Sequence, residues 1–130
     1  MKKHITLFKI LRGTNSAFEH GENTLQYMPF NWTDPVVGKI YAFRDYNRAV
    51  RWAVNYPDVS LWEAEGEIFK EGHCMVCDDS DYSYSDFWLW YLASMKEDGS
   101  KYPSPPFIVH APNGTVLCNK LQITRKLRSF

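Results

Sequence analysis

Few residues in this chain have the types and spacing that chemistry needs, and they fall into two groups. The first is Cys74-Met75-Val76-Cys77, where the Cys-x-x-Cys spacing lets two thiolates share one metal ion. Cys118 and one of His4, His20, His73 or His110 could complete a tetrahedral set. Successive strand residues point to opposite faces, however, so Cys74 and Cys77 diverge unless a turn reorients them. Thioredoxin-type redox work places such a pair at a helix N-terminus. Here an acidic stretch follows, which raises a thiol pKa instead of lowering it. The expectation is structural, buried cysteines and no bound metal.

The second group is Glu63, Glu65 and Glu67, three alternate residues on one strand face, about 7 Å apart. Carboxylates so arranged can raise one another's pKa and supply a general acid or base. The same pattern describes a solvent-facing acidic strand, and that is the simpler expectation. No serine or threonine occupies a nucleophile-elbow signature, and no glycine-rich phosphate loop is present. These absences argue against nucleotide hydrolysis and Rossmann-type cofactor use. His20 and His110 have no spacing-linked partner and read as ordinary loop or strand histidines.

Both groups depend on the elements that carry them. Ile5, Leu7, Phe8, Ile10 and Leu11 predict a first strand ending at Arg12-Gly13. Residues 13–37 read as a long loop with isolated aromatics at Phe18, Tyr27, Phe30 and Trp32, and loops of that length in small domains are usually functional. Lys39 to Phe43 is a second strand. Asp45 is a good N-cap for a helix running to Tyr56, with Tyr46, Ala49, Val50 and Ala53 on one face and Arg44, Arg48 and Arg51 off it. Pro57-Asp58 ends that helix, and Val59 to Ile68 alternates as a half-buried strand with the three glutamates outward. After a Glu71-Gly72 turn, His73 to Cys77 predicts a fourth strand and residues 78–85 an acidic loop.

Ser83 or Ser85 then caps a second helix from Asp86 to about Asp98. Its centre, Phe87 to Leu92, is apolar on every side, which predicts enclosure by the domain. Asn113-Gly114, between the apolar runs Phe107 to Ala111 and Thr115 to Leu127, predicts a hairpin. The result is one domain over residues 1–130, of α+β class, with a mixed or mainly antiparallel sheet of five to seven strands and two helices.

Composition narrows the function. Fifteen basic residues balance fifteen acidic ones, so the broad positive field of a non-specific nucleic-acid binder is absent. The N-terminal apolar run is broken by Lys9 and Arg12, too short for a secretory leader or a membrane span. Three cysteines suit a reducing compartment, and a cytoplasmic location is expected. Five Trp, eight Tyr and eight Phe are more than a core of this size needs, and some are expected on a recognition surface.

Arg12 at the end of the first strand, the strand Ile40-Tyr41-Ala42-Phe43, the helix with Ala49 and Trp52-Ala53, and the Glu-x-Glu strand together resemble the ADP-ribosyltransferase fold. The resemblance covers about residues 5–68. It implies NAD as cofactor, Arg12 as its anchor, and Glu65 or Glu67 as the catalytic acid. Two departures stand beside it: Ala42-Phe43-Arg44-Asp45 occupies the place of the family's Ser-Thr-Ser element, and the glutamates come earlier than the family's order puts them. The overall make-up also resembles small phage-borne or accessory proteins. The expectation from the residues themselves is a cofactor-free domain that binds another protein, acting as an inhibitor. Its expected contacts are Trp32, Asp78, Asp79, Asp81, Tyr82, Tyr84 and Trp88. The alternative is an NAD-dependent mono-ADP-ribosyltransferase using Arg12, Glu65 and Glu67.

Overall fold

A computed structural model of the chain describes residues 4–16, 25–77, 84–96, 105 and 108–130. The period-two pattern at the N-terminus becomes β1 (His4–Arg12), which turns through Gly13 into the two-residue β2 (Asn15–Ser16). There follow β3 (Ile40–Phe43), α1 (Tyr46–Ala53), β4 (Ser60–Glu71), β5 (Met75–Cys77), α2 (Tyr84–Ser94), β6 (Ile108–His110) and β7 (Thr115–Ser129). All strand pairings are antiparallel, in a five-stranded sheet and a two-stranded one, so the α+β expectation of two helices and five to seven strands holds.

The larger sheet curls on itself. Its order is β2-β1-β3-β7-β4, and β4 also pairs with β1 from His4↔Glu67 to Leu11↔Ser60. The contact that closes the ring is the single pair Phe8↔Phe43 between β1 and β3. Irregularities in the β4–β7 register, at Leu61/Trp62, Glu63/Ala64, Glu67/Ile68 and Ile68/Lys70, supply the bending that such closure needs. Inside sit Leu7, Leu11, Leu25, Tyr27, Ile40, Ala42, Ala64, Val116, Cys118, Leu121 and Ile123. Small residues keep this interior narrow; at Gly66 a Cβ would stand 2.6 Å from a methyl of Leu7.

Both helices pack on the outside. Through Ala49 and Ala53, α1 covers Ile10, Phe43 and Leu61, with Trp52 tilted between Phe43 and Tyr56 at 5.6 and 5.0 Å. Asp45 does take the N-cap position, with extended backbone, yet its carboxylate makes no cap hydrogen bond and pairs instead with Arg48 at 3.3 Å. The other helix, α2, buries Phe87, Trp88 and Tyr91 against Leu117 and Cys74. Enclosure is one-sided, because Leu89 stays exposed. Two tyrosines fix β5 beside it: the Met75 N–H donates to Tyr91 Oη at 2.9 Å, and Tyr41 Oη donates to the Met75 carbonyl at 2.7 Å.

The predicted hairpin at Asn113-Gly114 does not form. A tight turn is present, with the Thr115 N–H donating to the Pro112 carbonyl at 3.1 Å, but β6 pairs with β5 and not with β7. The start of β7 has no edge to offer: Val116 to Cys118 pair with β3 on one side and with β4 on the other.

Candidate functional site

The three glutamates of β4 lie on the outer face, each in a cross-strand row. Glu63 is flanked by Phe8 and Arg125, Glu65 by Thr6 and Gln122, and Glu67 by His4 and Lys120. Glu63 pairs with Arg125 at 3.4 Å, and Gln122 donates to Glu65 at 2.9 Å. All three are half-buried carboxylates of a strand facing outward, and two of them already hold a partner. Arg12 is exposed at the far end of the same ladder. Eight residues of β1 separate it from the row of Glu67 and six from the row of Glu65, or roughly 26 and 20 Å at the ordinary strand rise. The arrangement implied by the ADP-ribosyltransferase resemblance, one arginine and one of these acids on a common pocket, is not brought together.

Cys74 and Cys118 are buried free thiols, and the side chain of Cys77 lies outside what the structure describes. Cys74 donates to the Thr115 carbonyl at 3.4 Å. Among the described residues no group of three or more His, Cys, Asp or Glu could hold a metal. His4 packs on Trp32 at 4.7 Å and His110 stands opposite Met75 in the short sheet, while His20 lies outside the described residues.

Burial pushes the Cys118 thiol up to about 12, with the Lys9 ammonium drawing it slightly back, and raises Cys74 as well. An unfolded thiol ionises near pH 8.5–9, so the stability this protonated thiol contributes is complete below that pH and is lost as pH rises toward 12. Unfolding free energies from denaturant titration should therefore hold level up to about pH 8.5 and then fall as pH rises to 11, by roughly 1 kcal/mol per unit from Cys118 alone. In Cys118→Ala the curve should start lower and slope less; equal slopes would refute the assignment.

Sequence reasoning passed over Lys9. Its parity with Leu7 and Leu11 sends it inward, where it is 7 % exposed, donates to the Tyr41 carbonyl at 2.6 Å and stands 5.8 Å from the Tyr27 ring centre. The alternation of β1 carried that signal.

Of the residues expected to make contacts, Trp32 is on the surface, at 36 % exposure. Trp88 is not: it is 1 % exposed, because Gly38 admits its indole against the sheet and Phe87, Tyr91 and Tyr41 surround it at 5.4–5.6 Å. That expectation is corrected. Tyr84 opens α2, and Asp78, Asp79, Asp81 and Tyr82 lie outside the described residues.

The surface feature that sequence reasoning missed surrounds Trp32. Met28 and Phe30 are 63 % and 72 % exposed, while Leu25 and Tyr27 just before them are buried. Backbone bonds pin the segment at both ends: Tyr27 N–H to the Thr14 carbonyl at 2.7 Å, Phe30 N–H to Ile123 at 2.9 Å, and Thr33 N–H to Leu121 at 2.8 Å, returned by Leu121 N–H at 3.1 Å. Phe30 has φ 63°, a left-handed conformation that costs an aromatic residue about 1–2 kcal/mol. Trp32 is braced from below by Lys120, whose ammonium is 4.7 Å from its ring centre. Residues 28–33 carry no formal charge. The uneven loop composition hinted at function, but only the pairing with β7 reveals which side chains face out.

Comparison of the chain with protein-family models, with curated proteins and with solved structures finds no match. Among the described residues no helix is long and apolar enough to cross a membrane.

Proposed function

We propose that this chain is a protein-recognition domain, of the kind that inhibits or regulates by occupying a partner, and that it docks Met28, Phe30 and Trp32 into an apolar cleft on that partner. One observation carries the reading: three large apolar side chains project from a backbone that hydrogen bonds to Thr14, Ile123 and Leu121 hold in place against the left-handed strain at Phe30. An interface core is uncharged and rich in aromatic residues and methionine, with charge at its rim. Here the rim is Asp34, Lys120 and Glu67, next to a strip without formal charge. Because the backbone is already ordered, docking spends little on freezing it.

The NAD-dependent alternative would need Arg12 and Glu65 or Glu67 on one pocket, and nothing in the geometry favours it over the ridge. The test is quantitative capture of partner proteins by the wild type and by Phe30→Asp and Trp32→Ala. Phe30 is largely exposed, so Phe30→Asp should leave the thermal midpoint near wild type, while Trp32→Ala gives up the packing on His4 and Lys120 and should lower it modestly. Phe30→Asp should weaken capture about thirtyfold or more, as loss of an aromatic anchor does. Partners retained equally by all three proteins would sink the reading. Loss of self-association in light scattering, with no heterologous partner lost, would reassign the ridge to a second copy of the chain.

A further inference from the structure

A second site lies away from the ridge, where β3 hands over to α1. A groove of about 350 Å³ is lined by Arg44, Asp45, Arg48, Glu71, Gly114 and Thr115, among others. Two arginines face it, Arg44 just before the N-cap of α1 and Arg48 in its first turn, and both meet the turn at Gly114. The Arg44 N–H donates to the Gly114 carbonyl at 2.8 Å. Arg48 lies across Gly114 so closely that a Cβ there would stand 2.5 Å from its Cδ. Gly114 also has φ 87°, a conformation that side chains avoid, so the position is doubly matched to glycine and leaves a flat backbone bed for the arginine stem.

Each guanidinium is engaged by a carboxylate through Nε: Arg44 with Glu71 and Arg48 with Asp45, both at 3.3 Å. All four side chains are about half exposed. Exposed pairs of this kind add little stability, and a ligand of higher charge displaces them. A planar guanidinium offers parallel donors that suit the oxygens of a tetrahedral dianion better than they suit one carboxylate oxygen at 3.3 Å.

The geometry points to a binding site for a small phosphate monoester, held between the guanidiniums of Arg44 and Arg48, with Glu71 and Asp45 as built-in competitors for the same donors. The groove's volume suits a ligand of that size and not a macromolecular surface. This site shares no residue with the Met28–Trp32 ridge, so either can fail without the other.

Inorganic phosphate and phenyl phosphate are the probes, read by isothermal titration and by amide shifts in NMR, with chloride of equal ionic strength as control. Saturable binding is expected, with shifts at residues 44–48 and 113–115. Arg48→Ala should weaken it about tenfold, the loss of one charge-assisted pair. The sign of two further variants is diagnostic. Glu71→Gln and Asp45→Asn should tighten binding, by about threefold each, because they remove the competing carboxylate while asparagine still suits an N-cap. Titration without saturation, unchanged affinity in Arg48→Ala, or weaker binding in Glu71→Gln would overturn the proposal.

Discussion

Valine in place of Gly38 is expected to lower the folding stability by about 3–5 kcal/mol, a large part of the 5–15 kcal/mol that holds a domain of this size together. Two penalties add. Gly38 has φ 72°, which a β-branched side chain adopts only under strain. Its Cβ would also fall 2.1 Å from Cδ2 of Trp88, inside the indole. The indole has nowhere to go, since Phe87, Tyr91 and Tyr41 hold it at 5.4–5.6 Å and it is fully buried. Guanidinium titration followed by tryptophan fluorescence gives the measurement. Gly38→Ala should fall between wild type and Gly38→Val, and Trp88→Leu should recover part of the loss in the Gly38→Ala background. That non-additivity separates the steric clash from the backbone strain, which Trp88→Leu cannot relieve. A wild-type midpoint for Gly38→Val would mean that α2 does not seat on this stretch of chain.

The same contact shows where sequence patterns stop being informative. Periodicity located β1, β3, α1 and β4 within a few residues: in β4 the small inward Ala64 and Gly66 alternate with the glutamates, and in β1 Leu7 and Leu11 share the inward parity while Ile10 is buried on the other face beneath α1. The outward glutamates of β4 were equally legible, for they occupy the complementary parity. Partner choice was not. Asn113-Gly114 encodes a turn, and the turn is there, but a local signal cannot register that β7 has both edges taken by strands distant in sequence. Trp88 was assigned to a surface because an all-apolar helix carries no stripe to say which side is covered; the covering glycine lies fifty residues earlier.

The candidate sites divide along the same line. Phe30 and Trp32 were both legible as isolated aromatics in a polar loop, but only Trp32 was expected to make contacts; Met28 and Phe30 became candidates once the bonds to Ile123 and Leu121 fixed which way they point. Arg44 and Arg48 were visible as the polar side of α1. Their shared seat on Gly114 joins residues almost seventy positions apart, and no spacing rule reaches that far.

Closure of the sheet itself is open to a test whose sign decides it. Gly66 sits mid-strand in β4 with no positive φ, so valine there would be favoured by about 1 kcal/mol on strand propensity alone if the face were open. In a closed ring the outcome reverses. The new Cβ would stand 2.6 Å from Cδ1 of Leu7 and 3.1 Å from Sγ of Cys118, with Leu121 at 3.5 Å behind them, and all three neighbours are fully buried. Leu7 can rotate its terminal methyl only into other core atoms, so Gly66→Val should cost about 2–4 kcal/mol by overpacking. Leu7→Ala alone should cost about 2–5 kcal/mol through the cavity it leaves. Combined, the two changes should cost clearly less than their sum, since the valine fills space that the leucine vacates. Denaturant midpoints of the four proteins measure the cycle. If Gly66→Val is as stable as the wild type or more so, β1 and β7 do not converge over β4, and the interior that positions both surface sites is an open sheet.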